Sequence, residues 1–231
     1  KRLASLAEIY FDQDNQQRMI IFDKERLSAL PPDKGVSNVV AFSDKMIFLD
    51  NSGFLFKTNN SFDSFEKLNL KPLDIKNETD YEIMALLPHI FLREGSSLYW
   101  LNNQELEKVS DNVDNIAFSP DEKRATFFNG KEIHIMFLEK SWDQPQREMG
   151  EKILLIKAEK INNVFWFTDH YLVFSSLGGI KITETDERDD LNTVELSLPF
   201  EGIKTVWNQN SEKILFLGEN KTLYTSSKLI P

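Results

Sequence analysis

The sequence contains no cysteine, and it has only 9 glycines and 8 prolines among 231 residues. The absence of cysteine excludes a disulfide framework, thiol catalysis and metal sites built on thiolates. It does not determine the cellular compartment, because a large core of β-strands is stable without disulfides.

Long hydrophobic runs and concentrated basic charge are missing as well. No stretch approaches the roughly eighteen apolar residues of a transmembrane helix, so we expect no membrane span within this chain. The formal net charge at pH 7 is -10, and no cluster of Lys and Arg offsets it. Because binding to phosphate backbones or anionic lipids relies on such clusters, we expect no nucleic-acid partner.

What the chain does contain is a repeat: an aromatic or Leu anchor, a polar turn and then β-rich segments, with no helical pattern between the units. The anchors are Phe11, Phe42, Leu86, Phe118, Trp166 and Trp207. Subtraction gives spacings of 31, 44, 32, 48 and 41 residues. A period of about forty residues built from short strands is typical of a β-propeller. We therefore predict an all-β propeller that forms a single domain over residues 1–231, with six blades, or seven or more if preceding chain has been removed.

The clearest unit covers residues 116–137. Its Ser-Pro-Asp-Glu segment at residues 119–122 predicts a tight turn, since Pro presets φ and Asp hydrogen-bonds its own backbone. Asn129-Gly130 predicts a second hairpin turn through positive φ. Asn51-Ser52-Gly53 and Gly178-Gly179 predict equivalent turns in other units.

The turn at residues 118–123 resembles the repeat signature of WD40-like, TolB-type propellers of bacterial envelope proteins, with Glu122 in place of the usual Gly. Residues 170–174, 180–182 and 186–189 resemble a repeat of bacterial proteins that carry a propeller after a small PEGA-type β-domain. The resemblance covers most of the chain, from about Ile9 to Leu229, and its motifs are structural. It implies no catalytic residues.

The resemblance also implies an extracytoplasmic location at the cell envelope, in an outward-facing module that binds other molecules. The chain begins at Lys1 without an initiator Met or an apolar signal region, so we expect it to be part of a longer polypeptide. Any PEGA-like segment or membrane anchor would then lie upstream of Lys1. A cytoplasmic assembly platform of the WD40 type is the alternative.

Two insertions interrupt the repeat, at residues 71–80 and 139–152, and loops on propeller rims commonly carry function. Trp142 lies in the second insertion and is the one tryptophan that we would test as a ligand platform, because Trp166 and Trp207 coincide with anchors. His89 and His170 occupy similar places, at the turn before the second strand of their units. We therefore single out Trp142, His89 and His170 as candidate binding residues.

No metal site is predicted. His89 and His170 are two units apart, which places them too far from each other to share a metal unless the ring is tight. The carboxylates of residues 12–15 and 186–190 could attract a divalent cation, but a polar turn is the expected structure of both segments.

A catalytic constellation is not recognisable either. The chain has no Gly-x-Ser-x-Gly elbow, no phosphate-binding loop and no Asp-box, and its many carboxylates do not single out a pair. The leading hypothesis is a non-enzymatic binding or scaffold module without a cofactor, which recognises protein or glycan through one rim. The alternative is a propeller-type hydrolase or lyase with acidic residues and a cation in its central channel.

Overall fold

The structure is a computed structural model of the chain. It describes residues 5–11, 17–23, 26–29, 36–42, 45–59, 63–76, 78–177, 179–188, 190–196, 202–208, 213–218 and 222–226. Within these ranges the regular elements are all β-strands. A helix long and apolar enough to cross a membrane is not found among these residues.

The chain divides into two compact units, Lys1–Asp111 and Asn112–Pro231. In the first unit the described strands form three antiparallel sheets, in which each strand pairs with the next one along the chain. The first sheet contains β1 (Ser5–Phe11), β2 (Gln17–Asp23) and β3 (Arg26–Ala29). The second contains β4 (Val36–Phe42), β5 (Lys45–Asp50), β6 (Leu55–Asn59) and β7 (Phe65–Lys67). The third contains β8 (Tyr81–Leu86), β9 (His89–Glu94), β10 (Ser97–Asn102) and β11 (Glu105–Ser110).

The described strands of the second unit form three further antiparallel sheets with the same sequential order. The first contains β12 (Asn115–Phe118), β13 (Arg124–Phe128), β14 (Glu132–Phe137) and β15 (Lys152–Lys157). The second contains β16 (Ile161–Trp166), β17 (Tyr171–Ser176), β18 (Gly179–Glu184) and β19 (Thr193–Leu196). The third contains β20 (Gly202–Asn208), β21 (Lys213–Gly218) and β22 (Leu223–Thr225).

The repeat anchors share one position in these sheets, the end of the first strand. Five of them are the last residue of that strand, and Trp207 is the last but one: Phe11, Phe42, Leu86, Phe118 and Trp166 end β1, β4, β8, β12 and β16. Each repeat unit of the sequence therefore corresponds to one antiparallel sheet. The number of blades and the single domain over residues 1–231 stay predictions.

The core lies between neighbouring sheets within each unit. In the first unit, Ile47 and Leu49 of β5 pack with Ile83 of β8 and Leu92 of β9. The second strands β5 and β17 are buried on both faces: every residue after the first one is buried in each of them. Burial on both faces favours a continuous apolar run over alternation, as in Met46 to Leu49 of β5. Each fully buried Ile, Leu or Phe contributes roughly 1.5–3 kcal/mol to stability.

One predicted turn has the expected positive φ and another does not. Gly53 has a φ of 84°, so the positive φ expected at the Asn51-Ser52-Gly53 turn is confirmed. The expectation of positive φ at Asn129-Gly130 is wrong, because neither residue is among those with positive φ. There the Asn129 side chain makes the turn: its Oδ1 accepts hydrogen bonds from the backbone N–H groups of Lys131 and Glu132, both at 2.8 Å. Gly178 lies outside the described residues, and Gly179 has a φ of 141°.

Candidate ligand-binding site

An open pocket of about 850 Å³ lies at one edge of two neighbouring sheets of the second unit, β12–β15 and β16–β19. Four connections line it: the β12–β13 turn, the β14–β15 loop, the β16–β17 turn and the β18–β19 loop. Because consecutive strands are antiparallel, the connections after the first and third strands emerge at the same edge of a sheet. The topology therefore brings these four segments together.

The β14–β15 loop presents Trp142 to this pocket. Ser141 and Arg147 exchange two backbone hydrogen bonds, Ser141 N to Arg147 O at 2.9 Å and Arg147 N to Ser141 O at 3.1 Å. This bridge closes a small lobe of residues 142–146. Trp142 stands at its start with 70% of its surface exposed.

The base of the same loop is tied to β14. Gly150 N donates to the Phe137 carbonyl at 2.7 Å, and Phe137 N donates to the Glu151 carbonyl at 3.0 Å. The Arg147 guanidinium lies 6.0 Å from the centroid of the Phe137 ring and donates to the Glu151 carboxylate at 2.5 Å. Arg147 also pairs with Glu187, which belongs to the β18–β19 loop of the neighbouring sheet. The insertion is therefore fixed at its bridge, at its base and to the adjacent sheet.

The β12–β13 turn is held by its own side chains. Ser119 Oγ donates to Asp121 Oδ1 at 2.5 Å and accepts from Arg124 N at 2.9 Å, while Asp121 Oδ1 also accepts from Lys123 N at 3.2 Å. Burial raises the pKa of Asp121, but the hydrogen bonds from Ser119 and Lys123 and the charge of Arg124 outweigh it and lower the pKa. Asp121 is therefore ionised at neutral pH, and Glu122 takes the position of positive φ with a φ of 64°.

Arg124 joins the two sheets beneath the pocket. Its guanidinium donates to Thr185 Oγ1 at 3.2 Å and to the Asp169 carbonyl, and it lies 5.1 Å from the centroid of the Trp166 ring. Trp166 Nε1 donates in turn to the Ala117 carbonyl of the other sheet at 3.1 Å. These contacts link β12 and β13 to the β16–β19 sheet, so the pocket has a fixed floor.

The acidic β18–β19 loop forms an ion-paired turn. Arg188 Nε donates to both carboxylate oxygens of Asp186, at 2.8 and 2.9 Å. The hydrogen bonds from the Arg188 side chain and backbone lower the pKa of Asp186 to about 2. Asp189 and residues 12–15 lie outside the described residues. Among the described ones, no group of three or more His, Asp or Glu side chains could hold a metal ion.

The structure brings two of the three candidate binding residues together, since Trp142 and His170 line the same pocket. His170 directly precedes β17 and His89 begins β9, so the two histidines do hold similar places in their sheets. His89 belongs to the first unit, where its ring centroid lies 6.3 Å from that of the buried Trp100. The roles of Trp142, His89 and His170 stay predictions.

Sequence reasoning did not single out Arg124, Arg147 or Thr185, and it considered Glu187 only as one of the acidic residues in the segment 186–190. Each acts through a partner on a neighbouring sheet, as in the Arg124–Thr185 contact across 61 residues of sequence. The Ser-Pro-Asp-Glu-Lys turn and the length of the 139–152 insertion were the available signals, because they mark the two segments that carry these arginines to the pocket.

No protein-family model and no curated protein matches the sequence. Several solved structures do match the chain. Hsv2 of Kluyveromyces lactis is 14% identical over 96% of this chain and 73% of its own, with a TM-score of 0.56. YCF48, solved bound to a D1 peptide, is 15% identical over 91% of this chain and 72% of its own, with a TM-score of 0.50. Virginiamycin B lyase from Staphylococcus aureus is 11% identical over 98% of this chain and 90% of its own. Its TM-score is 0.48, and we base no conclusion on this match.

The structural neighbours are propeller proteins, TolB-like ones among them, so the predicted all-β propeller fold is confirmed. At such identities the likeness concerns the fold alone. The link to PEGA-domain proteins gains no support from the comparisons.

Proposed function

We propose that this protein is a non-enzymatic binding module that recognises its partner through the pocket of the second unit, with Trp142 as the central contact. The observation that carries the proposal is the 70% exposure of Trp142 on a loop that is closed by its own backbone bridge. Tryptophan carries a large apolar surface and is enriched at the energetic centres of interfaces. A rigid loop that exposes one loses little conformational entropy when a ligand covers the ring.

Both ligand classes expected from the sequence, protein and glycan, suit an indole flanked by charged hydrogen-bonding groups. A sugar ring or an amino-acid side chain can lie on the apolar face, while carboxylates and guanidinium groups fix its orientation. YCF48, which is structurally similar and was solved with a bound peptide, supports a polypeptide partner.

Two pocket carboxylates, Asp121 and Asp186, are poorly suited to act as a general acid. A general acid needs a pKa raised towards neutrality. The pKa values of Asp121 and Asp186 are instead lowered by their hydrogen-bond partners. No specific contact among the described residues favours the alternative function, a hydrolase or lyase.

We also propose that the protein acts on the outer side of a bacterial cell envelope. The support is the resemblance of residues 170–174 and 180–182 to propellers that follow a PEGA-type domain. Fractionation of cells that produce the native, full-length protein tests this location. We expect it with the envelope, and recovery in the cytoplasm would contradict the proposal.

The binding proposal is tested by screening arrays of peptides and glycans with the wild-type protein and with Trp142→Ala. We expect ligands whose affinity falls about tenfold or more in the variant, as at the centre of an interface. Trp142→Phe serves as the matched variant, since it keeps an aromatic ring and should retain part of the affinity. Because Trp142 is exposed, both variants should unfold at the wild-type temperature.

Two results would contradict the proposal. One is a set of ligands whose affinity is unchanged by Trp142→Ala. The other is enzymatic turnover of a ligand by the wild-type protein.

A further inference from the structure

The positive charges around the pocket are all neutralised by neighbouring carboxylates. The lining holds five cationic side chains, Lys123, Arg124, Lys140, Arg147 and Arg188, and five carboxylates, Asp121, Glu139, Asp143, Asp186 and Glu187. The cations pair as follows: Lys123–Glu139 at 2.8 Å, Arg124–Asp121 at 3.6 Å, Lys140–Glu148 at 2.6 Å, Arg147–Glu151 at 2.5 Å and also Glu187, and Arg188–Asp186. An anionic ligand would therefore have to compete with an existing ion pair for any of them.

Asp143 is the exception among the pocket carboxylates. It is exposed, it directly follows Trp142, and no cation of the described residues lies within salt-bridge distance of it. A cationic group that enters the pocket can pair with Asp143 without displacing a resident partner.

The neighbouring ring is also suited to a cation. Lys140 Nζ lies 4.4 Å from the centroid of the Trp142 ring, within the range of a cation–π contact. Trp142 still exposes 70% of its surface, so most of the ring remains available. Arginine and lysine side chains bind well to such a site, because their charged groups and apolar stems both contact aromatic faces.

We propose that the pocket binds a lysine- or arginine-bearing segment of a partner polypeptide, whose cationic side chain lies against Trp142 and pairs with Asp143. This inference rests on the proposed binding function and gives it a ligand class. A polypeptide suits the site because a pocket of about 850 Å³, open at the edge of two sheets, is far larger than a single amine. The net charge of -10 adds a long-range attraction for cationic segments and repels anionic ones.

The test titrates the full chain with three probes: a short Arg-Gly repeat peptide, the matching Glu-Gly peptide and an uncharged oligosaccharide. Intrinsic tryptophan fluorescence reports binding, and Trp142→Phe identifies the signal that comes from Trp142. We expect the Arg-Gly peptide to bind most tightly and to lose affinity as salt is added. Asp143→Asn should weaken it by about two- to fivefold, the range of an exposed ion pair.

Asp114→Asn is the control variant. Asp114 is exposed, lies next to the start of β12 and does not line the pocket, and its replacement removes the same unit of charge. It should leave the affinity for the Arg-Gly peptide unchanged.

Three outcomes would overturn the inference: equal or tighter binding of the Glu-Gly peptide, equal or tighter binding of the oligosaccharide, or equal effects of Asp143→Asn and Asp114→Asn. If the oligosaccharide binds as tightly as the Arg-Gly peptide or more tightly, and its signal requires Trp142, the inference fails while the proposed binding function stands. If the arrays give no ligand that depends on Trp142, both fail.

Discussion

Glu122 occupies a backbone conformation that its side chain disfavours. Its φ is 64°, in the left-handed region where a Cβ atom meets the following carbonyl. The propeller repeat signature that this turn resembles has Gly at this position, so the departure is visible in the sequence. The turn therefore keeps its shape through Ser119 and Asp121 at a local cost in stability.

We expect Glu122→Gly to stabilise the protein by about 1 kcal/mol, because glycine adopts positive φ without a Cβ clash. Glu122→Ala is the control, since it removes the same charge and keeps a Cβ. Urea unfolding of the three proteins measures the difference. The interpretation fails if the alanine variant gains as much stability as the glycine variant.

Gly53 and Gly130 both sit in hairpin turns but differ in their need for glycine. A Cβ at Gly53 would lie 1.8 Å from the Leu73 carbonyl oxygen, whereas a Cβ at Gly130 would meet nothing within 4 Å. Gly53 also has positive φ and accepts a 2.9 Å hydrogen bond from Leu73 N. The residue therefore anchors the 71–80 insertion.

We expect Gly53→Ala to destabilise the protein by more than about 1 kcal/mol, and Gly130→Ala to stabilise it by about 0.4–1 kcal/mol through lower entropy of the unfolded chain. Thermal unfolding of the two variants provides the measurement. Equal shifts of the two melting temperatures would contradict this assignment of the turns.

At the scale of elements, the 71–80 insertion is fastened to the third sheet by a buried carboxylate. The Glu94 side chain is 6% exposed, and its Oε1 lies 2.8 Å from Lys76 Nζ. Tyr99 donates to Glu94 Oε2 at 3.1 Å, and Lys76 N donates to the Tyr81 hydroxyl at 2.8 Å. Burial raises the pKa of Glu94, but the hydrogen bonds from Lys76 and Tyr99 and the Lys76 charge together lower it.

The pKa of Glu94 is lower in the folded protein than in the unfolded chain. Ionised Glu94 therefore stabilises the fold above its ordinary pKa of 4.5, and this stabilisation is lost as the pH falls through the pKa that Glu94 has in the folded protein. We expect Glu94→Gln to lower the free energy of unfolding by about 1.5 kcal/mol at neutral pH, as for other charged hydrogen bonds. The difference from wild type should shrink below pH 4.5.

Urea unfolding across a pH series measures both effects. Glu105→Gln is the control, because its partner Lys71 belongs to the same insertion but both side chains are largely exposed. Exposed pairs contribute little, so this variant should stay close to wild type at every pH. A Glu94→Gln effect that is constant with pH would contradict the linkage.

The elements also show what the sequence could predict and what it could not. The first strands end at the anchors or one residue after them, because large apolar residues and polar turns are local signals. The prediction of positive φ at Asn129-Gly130 was wrong because a side-chain amide can build a turn that otherwise requires positive φ. The contacts of Arg124 with Thr185 and of Arg147 with Glu187 escaped prediction, since they depend on how two sheets meet.

At the scale of the whole molecule, charge opposes self-association. The chain carries a net charge of -10 at pH 7 and has a pI of about 4.9. Among the described residues several large apolar side chains are exposed, including Trp142, Leu70 and Leu223 at 70%, 63% and 66%. We expect mutual repulsion between molecules to oppose the association of these side chains at neutral pH.

We expect association and a minimum of solubility near pH 4.9, where the net charge vanishes. Light scattering across pH at low and high salt measures this. At pH 7, added salt should increase scattering because it screens the repulsion. Scattering that is independent of pH would show that another property controls solubility.

The bridge between Ser141 and Arg147 separates the exposed lobe of residues 142–146 from the strands that carry it. Residues 142–146 lie within the bridge, while the strands that they connect are held by contacts outside it. We therefore expect these five positions to accept other residues without disturbing the strands on either side of the bridge. Under the proposed binding function, a short peptide grafted between Ser141 and Arg147 would change the specificity of the pocket.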